Sequence, residues 1–233
     1  MHSPPSTNSV DRDPAAVRTM FERVARRYDL ANHLLSGGLD FWWRQRASEI
    51  VRQWQPRQVL DLATGSGDLA LTIARKLPEA EITGADFSSG MLEVARHKGL
   101  TNTVLADALH LPFAEGSFDV VTVAFGLRNM ADWAAAIREM ARVLRVGGHL
   151  LVLDFSLPTG ALRPLYHFYL HGCLPWIAGL VTGERAAYQY LGASIEEFPS
   201  GPAMCELLEG SGFRAAAAEP LSGGIVAIYR AAR

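Results

Sequence analysis

The chain has 233 residues, is 49% hydrophobic and 20% charged, and carries a formal charge of −2. These values suit one globular domain with a sizeable core, and they exclude a strongly basic nucleic-acid binder. Two cysteines, Cys173 and Cys205, form no C-x-x-C motif, and the seven histidines show no zinc spacing. No metal is therefore expected, and a reducing cytoplasm is the simplest setting.

Residues 1–13 are rich in Ser and Pro and read as a disordered tail, not a secretory signal. No uncharged apolar run of about 18 residues is present to span a bilayer. Pro14, after Asp13, suits a first helical position. A helix from there to about Tyr28, and a second from about Asp40 to Trp54, make residues 14–57 a helical cap. From Gln58 onward strand-like and helical stretches alternate. The strands are QVLDLA, AEITGAD, NTVLAD, FDVVTVAF and HLLVLDF. The helices are Asp68–Leu77, Ser89–Lys98 and Asp132–Leu144. Continuous apolar strands alternating with helices predict an α/β fold, a doubly wound, Rossmann-like and mostly parallel sheet with helices on both faces. An insertion follows at about 157–199. FRAAAAEP and GIVAIYRAA then flank LSGG, which predicts a C-terminal hairpin and an antiparallel strand, seven strands in all.

The stretch VLDLATGSGDLA, Val59 to Ala70, closes the first strand and opens the first helix. Gly65, Gly67 and Ala70 match the G-x-G-x-x-A turn of dinucleotide sites, and glycines there let backbone approach a ligand closely. Asp86 ends the second strand, where a carboxylate can accept bonds from ribose hydroxyls. Asp68 sits where a dinucleotide would place its diphosphate, and its charge would repel that group. S-adenosylmethionine carries no phosphate. Its ammonium and sulfonium suit acidic neighbours, and Asp61 is a further one. Asp107, after the third strand, is placed to accept from an adenine amine.

LDLATGSGD resembles motif I of class I S-adenosylmethionine-dependent methyltransferases, and ALHLPFAEGSFDVV and VLRVGGHLLVLDF resemble later segments of that class. The resemblance implies that Thr64, Gly65 and Gly67 line the methionine moiety, that Asp86 holds the ribose, and that Asp107 and Ala108 meet the adenine. Four further stretches, YDLANHLLSGGLDFWWR, FGLRNMADW, VLDFSLP and YQYLGASIEEFP, are similar to the ubiquinone/menaquinone biosynthesis C-methyltransferases. Membership implies C-methylation of a polyprenylated quinol, converting a demethylmenaquinol to a menaquinol. A ubiquinone-pathway benzoquinol, or another small molecule, is the alternative acceptor. Ala124, where some ubiquinone-branch members have a serine, favours the menaquinone reading. Tyr28, Asn32 and Arg44 are implied to close the site on the substrate side, with Tyr190 near the quinol.

A hydroquinol carbon becomes nucleophilic when an adjacent phenol, of pKa about 10, gives up its proton. Arg128 cannot easily lose a proton. It is therefore expected to stabilise a phenolate, with Asn129 orienting a quinol oxygen. Asp68 or Asp154 is the expected base. The insertion LRPLYHFYLHGCLPWIAGLVTG could form a lid over the tail, lie in a membrane interface, or serve core packing or a homodimer contact. An NAD-dependent oxidoreductase is opposed by Asp68 and by the hairpin. A nucleic-acid methyltransferase is opposed by FGLRN and by the absence of a basic stripe.

Overall fold

The computed structural model describes residues 36–160, 162–173 and 185–233. The expected tail, the first cap helix with Tyr28 and Asn32, residues 174–184 and the His171 side chain lie outside the described residues. The described elements run α1 (Leu39–Gln53), β1 (Gln58–Leu62), α2 (Asp68–Lys76), β2 (Glu81–Asp86), α3 (Ser89–His97), β3 (Thr103–Leu105), β4 (Phe118–Ala124), α4 (Trp133–Val143) and β5 (Leu144–Phe155). They continue with α5 (Leu162–Phe168), a π-turn at Tyr169–Cys173, α6 (Arg185–Glu197), α7 (Pro202–Gly210), β6 (Arg214–Leu221) and β7 (Val226–Ala232).

β1, β2, β4, β5 and β7 are apolar on both faces, and the period of two sorts their side chains between two cores. Leu60, Leu62, Val121, Val123, Leu150, Val152 and Tyr229 face one core with α4 and α7. Val59, Val120, Leu151, Leu153 and Ile228 face the other with α1 and α2. The helices supply matching stripes. On α1 it is Trp43, Ala47, Ile50 and Val51, and on α4 it is Ala136, Ile137, Met140 and Val143. Both follow the three-to-four residue spacing of a buried helix face. Two helix starts are capped as their sequences suggest. Asp132 accepts from the Ala135 amide at 2.8 Å and Ser88 from the Met91 amide at 3.3 Å.

The seven strands take the order β3-β2-β1-β4-β5-β7-β6. β1 to β5 pair in parallel, and β7 runs antiparallel to both β5 and β6. The order reverses between β1 and β4, which opens a crevice at their carboxyl ends. Two details depart from the sequence reading. β5 begins at Leu144, directly after α4. Pairing passes from Phe118–Leu144 to Val120–His149 through a register shift, so the glycines of RVGG form an irregular lead-in to the strand. Helix α7 has no clear signal in the sequence. It has a glycine N-cap with no side-chain bond, only nine residues, and two buried anchors, Met204 and Leu208.

Candidate active site

A cavity opens at the carboxyl ends of β1, β2 and β4. Its lining includes Arg44 from α1; Asp61, Ala63, Thr64, Gly65, Ser66 and Asp68 from β1 and the loop into α2; Asp86, Phe87 and Met91; and Ala124, Phe125, Gly126 and Asn129 after β4. The glycine loop after β1 and the FGLRN turn after β4 thus face one space. They are separated by 61 positions in the chain between Asp68 and Asn129, and adjacent pairing of β1 with β4 brings them together.

The first loop is internally braced. The Thr64 hydroxyl donates to Asp61 at 2.7 Å and the Thr64 amide to the Ala85 carbonyl at 3.0 Å. The Gly65 amide donates to Asp86 Oδ2 at 2.8 Å, and the Ser88 amide to Asp86 Oδ1 at 2.9 Å. Gly67, with φ +83°, closes the turn by donating to Thr64 O at 2.9 Å. Asp86, which the Phe87 amide also reaches, therefore shapes the loop while keeping a lone pair for a ligand. Asp61 is 1% exposed. Burial pushes its carboxyl up to about 6, against the bonds from Thr122 and Thr64.

Asp68, at the first turn of α2, meets Lys98 at 2.8 Å and Arg44 at 3.9 Å. Arg44 also pairs with the buried Asp40 four residues before it. Three carboxylates and one guanidinium fit a ligand of mixed charge better than a diphosphate. The carboxylate of Asp68, with its lysine partner, stands at the helix start where a diphosphate would sit. Asp107 lies just beyond β3. It accepts from the Leu109 amide at 2.9 Å, and the Ala106 amide donates to Asp86 O at 2.9 Å. That bond ties the Asp107–Ala108 segment to the Asp86 corner.

The second loop carries strain. Phe125 has φ +58° and Ala63, across from it, φ +51°. Left-handed backbone at bulky or β-carbon-bearing residues costs free energy and concentrates at functional sites. The two loops also touch. A β-carbon on Gly126 would stand 2.5 Å from that of Ala63. Gly126→Ala is therefore expected to lower stability by about 1–3 kcal/mol, as read from a urea melt. An unchanged midpoint would show that the loops can part freely.

The side chain of Arg128, expected to stabilise a phenolate, pairs with Asp154. Arg128 is 3% exposed, and Asp154 is fully buried. Arg128 Nη1 lies 2.9 Å from Asp154 Oδ1 and also donates to the Phe125 carbonyl. Its guanidinium carbon lies 5.1 Å from the centroid of the Phe155 ring. Burial raises the Asp154 carboxyl, and Arg128 opposes that shift. The pair therefore holds the turn from beneath. Asn129 does line the cavity. Its amide nitrogen donates to Phe125 O at 3.4 Å, and its oxygen accepts from the Tyr190 hydroxyl of α6 at 3.2 Å. The structure thus brings Arg44, Asp68, Asp86 and Asn129 to one cavity, with Tyr190 behind Asn129. It adds Phe125 and Gly126, whose importance depends on a conformation that residue type does not reveal. Trp43 is buried, its indole donating to Ser222 at 2.8 Å, as expected of a packing aromatic.

The fold is that of S-adenosylmethionine-dependent methyltransferases. A methyltransferase of this kind from Thermotoga maritima superposes with a TM-score of 0.65 at 18% identity, covering 93% of this chain and 99% of that one. Human N-acetylserotonin methyltransferase, solved with S-adenosylmethionine, gives 0.64 at 17% identity, covering 93% of this chain and 59% of that one. The model of the ubiE/COQ5 methyltransferase family matches residues 8–233, and the chain belongs to that family. A demethylmenaquinone methyltransferase of Thermus thermophilus is 46% identical, covering 90% of this chain and 98% of its own. One from Mycobacterium marinum is 43% identical, covering 96% of each. A ubiquinone/menaquinone biosynthesis C-methyltransferase of Geotalea uraniireducens is 40% identical, covering 91% of this chain and 94% of its own.

Proposed function

We propose that the chain is a demethylmenaquinone methyltransferase, which methylates a ring carbon of a polyprenylated quinol and so forms menaquinol. The observation that carries this reading is one cavity shared by the acidic glycine loop, Thr64 to Asp68, and by Asn129 of the FGLRN turn. The identity to demethylmenaquinone methyltransferases over nearly the whole chain supports the choice of acceptor.

When bound, S-adenosylmethionine supplies a methyl group already made electrophilic by its sulfonium. Alignment and exclusion of water are then the main work of the protein. Thr64, Gly65 and Gly67 shape the methionine end, Asp86 takes the ribose hydroxyls, and Asp107 with Ala108 borders the adenine. Asn129 orients a quinol oxygen, its amide fixed by Phe125 O and by Tyr190. Asp68 serves as base, through water. Of the two expected candidates it is the partly exposed one, whereas Asp154 is sealed against Arg128. Arg128 acts as a positioning residue that fixes the carbonyl of Phe125 and the turn carrying Asn129.

An apolar tail needs an apolar surface. The insertion divides accordingly. Tyr166, Leu170 and Ile195 form a small buried cluster, which is core packing. Leu162, Leu165 and Phe168 of α5 are exposed, as are Leu39, Phe41 and Trp42 of α1. Among the described residues no helix is long and apolar enough to cross a membrane. These exposed faces support peripheral contact with a bilayer from the cytoplasmic side.

The test is methyl transfer from labelled S-adenosylmethionine to either a demethylmenaquinol or a methoxy-polyprenyl benzoquinol, with the label located by mass spectrometry. Labelled menaquinol is the expected product. Label on neither ring, from protein that binds the methyl source, would reject the proposal.

A further inference from the structure

We propose that Arg44 anchors the carboxylate of S-adenosylmethionine, with Asp40 as its positioning residue, and so sets the selectivity of the cavity for the methyl source. The inference rests on the reading of this cavity as the S-adenosylmethionine site, and it moves Arg44 from the quinol side to the methyl-source side.

Among the described residues lining the cavity, Asp61, Asp68 and Asp86 are acidic and Arg44 is the one cation. S-adenosylmethionine presents an ammonium, a sulfonium and a carboxylate. The carboxylate is the group that three aspartates repel, and a guanidinium is its natural partner. Backbone amides are the usual alternative holders of an anion in a glycine-rich turn. Here several are already spent. The Gly65 amide donates to Asp86, the Gly67 amide to Thr64 O, and the Thr64 amide to Ala85 O.

Geometry supports the same assignment. Arg44 projects from α1, which packs against α2. Its side chain is 14% exposed. Nη1 is held by Asp40, a buried residue that also accepts from Ser36 at 2.8 Å. The guanidinium carbon lies 5.8 Å from the centroid of the Phe125 ring. Nη2 points toward Asp68 but stops at 3.9 Å, longer than a hydrogen bond. One edge of the fork is thus fixed by Asp40 while the other faces the cavity. Holding the side chain before binding reduces the rotamer entropy lost on binding.

Titration calorimetry with S-adenosylmethionine and with its decarboxylated analogue tests the proposal. The parent is expected to prefer the carboxylate-bearing ligand by about ten- to hundredfold, the range for a hydrogen-bonded charge pair. Arg44→Gln should weaken S-adenosylmethionine by that factor and leave the analogue nearly unchanged, so the preference disappears. Arg44→Lys should keep part of it. Equal binding of both ligands by the parent would overturn the assignment without any variant. So would an Arg44→Gln protein that keeps the preference or weakens both ligands alike. A parent that binds neither would instead overturn the reading of the cavity itself.

Discussion

Arg128→Ala is expected to destabilise the protein by about 3–5 kcal/mol, because it strands the Asp154 carboxylate in an apolar interior. Asp154 lies on β5, wholly buried, and Arg128 is its cationic partner at 2.9 Å. The same change releases the Phe125 carbonyl, which Arg128 holds in its strained turn. Replacing both members, Arg128→Met with Asp154→Leu, removes the charge and its counter-charge together. That double variant should recover most of the lost stability. It should not recover turnover, since the turn carrying Asn129 has lost its brace. Urea unfolding of the three proteins reads the first part, and a methyl-transfer assay the second. A single variant within about 1 kcal/mol of the parent would mean that Asp154 finds other compensation.

Asp61→Asn is expected to stabilise the protein in a pH-dependent way. Burial lifts the Asp61 carboxyl from 3.8 to about 6. Below about pH 4 the group is protonated in both folded and unfolded chains and costs nothing. As pH rises toward 6 the unfolded chain releases its proton while the folded one keeps it, so stability falls. Above 6 the full cost applies, about 3 kcal/mol from two pKa units at 1.36 kcal/mol each. Asparagine escapes that cost: its one oxygen accepts from one of the two hydroxyls, of Thr64 and Thr122, and its amide nitrogen donates to the other. The gain should therefore be large near pH 7 and vanish near pH 4 in parallel urea melts. Binding of S-adenosylmethionine should show the opposite value of the charge. Affinity of the parent should fall as pH drops through about 6, because the cationic ligand loses an anionic neighbour. The variant should lack that fall. A stability difference that is the same at both pH values would refute the assignment to Asp61.

The architecture was legible because its signals are local and repeated. QVLDL, FDVVTVA and HLLVLDF are near-continuous apolar runs without strict alternation, as a strand covered on both sides tolerates, and each is followed or preceded by a helix. The site was legible as a set of loops. Asp86, Gly65 and Asp68 stand where their strand ends place them. What residue order did not reveal is direction. Arg128 and Asn129 are neighbours in one turn, yet one side chain goes inward to Asp154 and the other lines the cavity. The turn that carries them opens at the left-handed Phe125, a conformation that no residue type announces at a phenylalanine. Residue order singles out Arg44 but not the partners of its side chain. Asp40 is four residues away on the same helix, whereas Asp68 and Phe125 reach it only through the packing of α1 over the sheet. Composition leaves the apolar insertion open between a lid, a membrane face, core packing and a dimer contact, and in its described part Tyr166, Leu170 and Ile195 are buried while Leu162, Leu165 and Phe168 are exposed.

The rim of the sheet has a consequence for how copies of this protein can meet. The outer strands are β3 and β6. β3 is three residues long, too short to template another strand. β6 is eight residues long but carries Pro220, which offers no amide hydrogen, and its pairing with β7 is interrupted between Arg214 and Ala217. Short, bulged and proline-bearing borders resist the lateral growth that makes sheet proteins aggregate. Self-association by extending the sheet is thus disfavoured on both sides. Among the described residues, that leaves the helical faces for any lasting contact between copies, where exposed side chains can be changed without disturbing the strands that build the cavity.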